Sequence, residues 1–295
     1  MTFDSMLNLN NTASKSIALV RANSLDLLEI VKETSTDSTV SWHLFDNKDG
    51  LEEAFKKLNF EWYDHRISIH HTESDEEASN AAAALIQTGQ ANILMKGIIS
   101  TNTILKSVLN KSLKLLDQPL LSHIALFKLP SYHKPLIISD AAMNINPDEQ
   151  MKISIIDNAL RVAEKIGVTE PKVALISAVE KVNPKIESTV INQSIADNHH
   201  FKNAVVEGPM SYDLALSKAA AEVKSYESKV AGDVDILIMP NIDAGNVLYK
   251  ALTISAGAHV AGLIIGLKAP FVLTSRADSK DEKLNSLKLA FQLLT

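Results

Sequence analysis

Asp235-Ile-Leu-Ile-Met-Pro240-Asn-Ile-Asp243-Ala-Gly245-Asn246 is a short apolar run that breaks at once into polar, charged and glycine residues. Phe271-Val-Leu273 followed by Thr274-Ser275-Arg276-Ala-Asp278-Ser279 repeats the pattern. Each reads as a strand ending in a reactive loop, and in open α/β sheets ligands gather at the carboxyl ends of strands. A Ser-Arg pair there offers a hydroxyl and a permanent cation to an anionic substrate.

With Phe271–Leu273, the β-rich runs number ten: Ile17–Val20, Ile67–His70, Ile93–Met95, Ile124–Phe127, Leu136–Ser139, Val173–Ala178, Ala204–Val206, Ile236–Met239 and Val260–Ile264 are the others. They alternate with helical patterns, which predicts parallel sheets covered by helices, and their number favours two sheets. Ser74 with Glu77 predicts a capping box before an alanine-rich helix that stops at Gly89. Asn146, Pro147 and Glu149 predict the start of a helix that runs to Gly167, with proline in its first position. Ser279 and Glu282 open the last helix, whose Leu284, Leu287, Phe291 and Leu294 form one apolar face. Thr34–Thr39 reads as a surface loop, and Trp42 and Trp62 read as packing.

With 295 residues, one large or two medium α/β domains are expected, and two is the preferred reading. An apolar fraction of 46% beside 22% charged residues fits a packed, enzyme-like globule. The net charge is −6 and the cations are scattered singly, so no basic stripe for a nucleic-acid partner is present. Met1–Asn11 does not read as a secretory signal, and the longest apolar stretch, Ala256–Leu267, is too short to span a bilayer. A cytoplasmic location follows by elimination. The chain has no cysteine, which excludes disulfides, thiolate metal sites and a cysteine acyl-enzyme.

Polar residues concentrate in five strand-end loops: Lys96-Gly97 with Ser100-Thr101-Asn102, Asp140–Asn144, Glu180–Pro184, Asn241–Asn246 and Thr274–Ser279. Their convergence on one rim or cleft is the working expectation. The Ser275-Arg276 loop runs into a helix N-terminus, which suits a phosphate-sized anion; plain surface hydrogen bonding is the alternative. Asp281 and Glu282 are acids of a first helical turn, whose ordinary role is capping. Asn246 and Lys250 lie one helical turn apart, as a binding pair or as a solvated face. The Lys96–Asn102 loop reads either as a phosphate cradle or as a simple N-cap, and it lacks P-loop spacing. His70-His71 and His199-His200 do not have metal-ligand spacing. No Rossmann fingerprint occurs.

Val230–Lys250 together with Val272–Ser279 resembles the phosphate acetyl/butyryltransferase family. The resemblance extends to Ala91–Gly97, Leu121–Phe127, Asp140–Pro147, Lys172–Pro184 and Glu207-Gly208-Pro209, most of the chain beyond the first sixty or so residues. Asp140-Ala-Ala-Met-Asn144, Glu180-Lys-Val-Asn-Pro184 and the Ser-Arg-Ala-Asp-Ser ending resemble the butyryl branch.

The resemblance implies two α/β domains with mainly parallel sheets and an inter-domain cleft, in the manner of isocitrate and isopropylmalate dehydrogenases. The corresponding division is 1–138 plus 272–295 for the first domain, the last helix returning to it, and 139–271 for the second. It further implies a homodimer or larger assembly and the reversible reaction acyl-CoA plus phosphate giving acyl phosphate plus CoA. CoA is then a substrate, with no metal and no permanently bound cofactor. By the same resemblance Arg276 binds phosphate, Ser275 serves the tetrahedral oxyanion or the thiol, and Asp281 is preferred over Glu282 as the base toward CoA. Lys96, Ser100, Thr101, Lys106, Asp140, Asn144, Asp243, Asn246 and Lys250 complete the expected substrate-binding set. Lys106 stands where arginine is usual and cannot fork onto a phosphate. Glu207 and Asn241 each replace an aspartate. The alternatives are an acetyl-CoA enzyme of the same chemistry, a dehydrogenase of related fold, and an anion-binding relative without catalysis.

Overall fold

Parallel strands cannot be joined by a tight turn, so each pair requires a crossover that the chain fills with helix. The computed structural model describes residues 1–9, 11–64, 66–275 and 278–294. Its strands are β1 (Lys15–Val20), β2 (Val40–Asp46), β3 (Ile67–His71), β4 (Ile93–Lys96), β5 (Ser122–Lys128), β6 (Leu136–Ser139), β7 (Lys172–Ile176), β8 (Val205–Met210), β9 (Ile236–Ile238), β10 (His259–Ile265) and β11 (Phe271–Val272). Its helices are α1 (Phe3–Leu7), α2 (Leu25–Thr34), α3 (Lys48–Lys57), α4 (Asp75–Gln87), α5 (Thr101–Val108), α6 (Glu149–Lys165), α7 (Glu187–Asn198), α8 (Tyr212–Leu216), α9 (Lys218–Val223), α10 (Ile242–Lys250) and α11 (Lys280–Gln292). The mainly parallel α/β class expected from the alternation is what forms.

The chain divides into two compact units, Asn8–Asp117 with Ala261–Thr295 and Met1–Leu7 with Gln118–Val260. In the unit that contains β1 to β4, the strand order is β3-β2-β1-β4-β11-β10. All its pairs are parallel except β10 with β11. In the unit that contains β5 to β9, the order is β5-β6-β9-β7-β8, with only β5 and β6 antiparallel. These limits differ from the expected 138/139 and 271/272. The segment 118–138 goes with β6 because β5 is laddered to β6, and 261–271 goes with β4 because β11 joins β10 to β4.

All ten strand runs anticipated from sequence appear, and β2 is an eleventh that sequence reading passes over. Ser41 and His43 interrupt its apolar run, yet Trp42, Leu44 and Phe45 are buried and β1 pairs along its length. Ala78, Ala82 and Ala83 form the buried stripe of α4, small enough for that helix to lie close on β1. Phe127, Ile138, Leu237, Met210 and Leu214 belong to the core of the other unit.

Two helix starts differ in detail from expectation. At α4, Ser74 caps the Glu77 N–H, but the Glu77 carboxylate accepts from Glu73 rather than from Ser74. At α6 the cap is Asp148, whose carboxylate accepts from the Met151 N–H, and Pro147 lies before the helix. An aspartate satisfies an orphan helix N–H and offsets the dipole at the same time, so it takes the position.

His43 and His70 face each other across β2 and β3, Nδ1 to Nε2 at 3.0 Å. Burial pushes both imidazoles below their usual range, and His70 beside it lowers His43 further. At a pH above about 6.5 both are neutral, folded or unfolded. As the pH falls through that value the unfolded chain takes up protons first, so stability should fall. The urea midpoint is expected to drop between pH 7.5 and 5.5, and to drop less in a His43→Gln, His70→Gln double variant; equal drops would refute the assignment.

Candidate active site

Strand order reverses beside β1, with β2 on one side and β4 on the other, so the loops after β1 and β4 part at a topological switch point. The β4 loop is anchored there by Gly97 N–H to Val20 O and Ile98 N–H to Arg21 O, both 2.8 Å. A Cβ on Gly97 would come within 2.1 Å of the Arg21 carbonyl, so only glycine permits this approach. Lys96 is buried, and its ammonium donates at 3.4 Å to the carbonyls of Gly97 and Thr274. It thereby connects the β4 loop with the loop after β11.

Ser100 is the N-cap of α5, its hydroxyl accepting from Thr103 N–H and lying 2.8 Å from the Thr103 hydroxyl. Ser100 nevertheless remains exposed, Thr101 is half-buried, and Lys106 is exposed in the last turn of α5. Arg21, which the sequence reading did not select, is held by two carboxylates: Asp46 at 3.1 Å and Asp75 at 2.8 Å.

The loop after β11 is bound to the start of α11. Ser275 N–H donates to the Asp278 carboxylate at 2.7 Å, and Asp278 N–H returns to Ser275 O at 3.2 Å. Arg276 lies outside the described residues. Ser279 and Glu282 form a complete capping box: the Glu282 carboxylate accepts from Ser279 N–H at 2.7 Å, and Ser279 Oγ accepts from Glu282 N–H. Asp281, one position earlier, is exposed. Lys283 is a residue that sequence reasoning missed; buried, it donates to the Asp278 carbonyl at 2.6 Å. Its position four residues after the serine cap was the available signal, since that spacing turns it toward the loop.

The other unit builds a second cluster at the ends of β6 and β9. Asp140 is buried; Oδ1 accepts from the N–H groups of Ala142 and Met143, and Oδ2 from the Asn144 amide. Asn144 also donates to Leu121 O at 2.8 Å. The start of α10 lies directly on this turn. Asn241, one of the residues that depart from the family pattern, caps the helix as aspartate would. Ile242 N–H donates to Ile145 O, and the Asn246 amide to Ala141 O at 3.1 Å. Asp140, Asn144 and Asn246 thus come together on this turn. Asp243 and Lys250 are exposed on α10, with the Lys250 ammonium 5.5 Å from the centre of its neighbour Tyr249.

Elsewhere in this unit the family-like segments have structural tasks. Asn183 and Thr189 close the loop of the Glu180–Pro184 segment on itself. Glu207 accepts from Ser228 Oγ and Lys229 N–H, which accounts for a longer acid at that position. Lys152 of α6 is fully buried and donates to Asn192 Oδ1 at 3.0 Å; the Asn192 amide donates in turn to Ile176 O and Ser177 Oγ. Burial pushes that ammonium down to about 8, against the opposing pull of Glu187. Nothing local distinguishes Lys152 from the surface lysines, so only packing reveals it. Among the described residues no group of three or more His, Asp or Glu could hold a metal ion.

The family profile described as Phosphate acetyl/butaryl transferase matches residues 16–291. A phosphate butyryltransferase of Clostridium beijerinckii is 38% identical over 292 residues, which cover 98% of this chain and 96% of that one. A phosphate acetyltransferase of Thermotoga maritima is 34% identical over 293 residues, with 98% and 99% covered. The solved structure of a branched-chain phosphotransacylase from Enterococcus faecalis V583 matches with a TM-score of 0.85 at 37% identity, over 95% of this chain and 98% of that one. This chain belongs to the phosphate acetyl/butyryl transferase family, a family of acyltransferases.

The contact between α10 and the Asp140 turn yields a direct test. A Cβ on Gly245 would lie 2.2 Å from the Asp140 carbonyl oxygen, which belongs to backbone and cannot rotate away. Gly245→Ala should therefore push α10 off the turn, at a cost of about 1–3 kcal/mol, visible as a Tm several degrees below the parent. An unchanged Tm would mean that the approach is not needed.

Proposed function

We propose that this protein catalyses the reversible transfer of a short acyl group, butyryl or similar, between CoA thioester and inorganic phosphate. The observation that carries the reading is the Ser275–Ser279 loop at the N-terminus of α11, with Lys96 reaching the same loop, in a chain that matches a phosphate butyryltransferase almost end to end. The helix dipole favours an anion there.

In the forward direction a phosphate oxygen attacks the thioester carbonyl. The new C–O bond forms, the carbonyl oxygen takes negative charge, and collapse of that oxyanion breaks the C–S bond. CoA leaves as thiolate and takes up a proton; in reverse, the thiol yields that proton before attacking acyl phosphate. Arg276 holds the phosphate with paired hydrogen bonds. Ser275 donates to the oxyanion or positions the thiol. Asp281 exchanges the CoA proton, a role supported by the capping box, which already occupies Glu282. Lys96, Ser100, Thr101, Lys106, Asp140, Asn144, Asp243, Asn246 and Lys250 bind the substrates. Transfer is direct, in a ternary complex, with no metal and no resident cofactor. The same reading takes the two units as domains of an isocitrate/isopropylmalate dehydrogenase-like fold, in a cytoplasmic homodimer or larger assembly.

Butyryl-CoA mixed with phosphate should release free thiol at a rate that depends on phosphate, and butyryl-CoA should outpace acetyl-CoA; the opposite ratio selects the acetyl reading. Arg276→Ala and Ser275→Ala should each lose about 10²-fold or more in kcat/KM. Asp281→Asn should slow transfer, whereas Glu282→Gln should keep the rate and lower stability by about 1 kcal/mol. Phosphate-independent thiol release by the parent would refute the function. Unchanged rates in the Ser275 and Arg276 variants would refute the site.

A further inference from the structure

His123 of β5 has no part in the reaction as drawn, yet it lies beneath the Asp140 turn. The antiparallel register of β5 and β6 pairs Ala125 with Ile138, Leu126 with Ile137 and Phe127 with Leu136. His123 lies two residues before the first of these pairs and Asp140 directly follows β6, so both stand at the same end of the ladder, and the Asp140 carboxylate acts on the ring. The imidazole is only 6% exposed, and its Nδ1 has no hydrogen-bond partner. Its ring meets Tyr249 of α10 edge to face, 5.7 Å between centroids, and Tyr249 packs in the same way on Phe127.

Packing alone does not call for an imidazole here. A buried ring nitrogen without a partner is destabilising, and phenylalanine would fill the same space without one. The ring meets the Tyr249 side chain of α10, and the Asp140 carboxylate is close enough to act on it. Asp140 and Asn144 stand on the loop across the ladder, and Asn246 and Lys250 stand on α10, which Gly245 lets rest on the Asp140 carbonyl.

We propose that His123 is a positioning residue for the acyl transfer: its imidazole, at the Asp140 end of the ladder and against Tyr249, holds the Asp140–Asn144 turn and α10 in one arrangement. The inference rests on the phosphate acyltransferase reading. Asp140 is the charged group that acts on the ring from the turn, and the Tyr249 ring packs against it from α10. Burial pushes the imidazole below its usual range, and the Asp140 carboxylate pulls the other way. When the ring does take a proton at low pH, it competes with Ala142, Met143 and Asn144 for the Asp140 oxygens and loosens the turn.

His123→Phe separates packing from positioning. It should keep or raise the parent Tm, lower kcat/KM roughly tenfold through misplacement of the binding residues, and shift the acid limb of the pH–rate profile. His123→Gln, polar but unable to titrate, should regain part of the rate with the acid limb still shifted. A His123→Phe enzyme with parental kcat/KM and the same acid limb would overturn the inference while leaving the acyltransferase reading intact. A parent with no phosphate-dependent thiol release would overturn both. Should the phenylalanine variant fail to fold, histidine NMR decides. The His123 titration should move to lower pH in Asp140→Asn, and an unmoved titration overturns the proposal.

Discussion

Parallel pairing imposes one geometry on everything that follows it. Because β1, β2, β3 and β4 run in the same direction, their carboxyl ends share an edge, and each next helix must begin there. The N-termini of α2, α3, α4 and α5 therefore crowd one rim, and β11, parallel to β4, adds α11. Four of these five starts are capped by Asn47, Ser74, Ser100 and Ser279 side chains. Capping satisfies part of each helix end, but the dipoles still point the same way. A rim of this kind suits a dianion before any side-chain cation is counted.

Within each unit, one glycine turns adjacency into contact. Gly97 presses the β4 loop against the backbone after β1, and Gly245 presses α10 against the Asp140 turn. In both places the obstacle to a larger residue is a carbonyl oxygen of the main chain, so the neighbour cannot yield as a flexible side chain would. The polar groups brought into register this way, Lys96 with Thr274 and Asn246 with Ala141, are separated by 178 and 105 residues in sequence.

Much of the fold was legible because its signals are local. Alternation of apolar runs with helical periodicity announced the class, and Ser279 with Glu282 announced a capping box that forms in full. The departures are local competitions lost. Asp148 displaced Asn146 as a cap because a carboxylate also answers the helix dipole, and β2 hid behind Ser41 and His43 because half-buried positions of a strand tolerate polar side chains. The unit boundaries were misplaced for a different reason. They depend on which strand ladders to which, and nothing in β5 or β10 alone specifies that partner.

The candidate site divides along the same line. Asp281 was singled out only through the family resemblance, whereas Ser275, Arg276 and the strand-end loops around Lys96, Asp140 and Asn241, proposed above to meet the substrates, were readable from the chain itself, since strand, loop and helix start are written in consecutive residues. Which of those groups are free and which are committed was not. That Glu282 belongs to a cap, that Asp140 is enclosed by three donors, and that Lys152 and His123 are buried follow from contacts between segments far apart. Periodicity records how a residue meets its neighbours along the chain. Burial and partner choice exist only once the sheet has brought distant strands side by side.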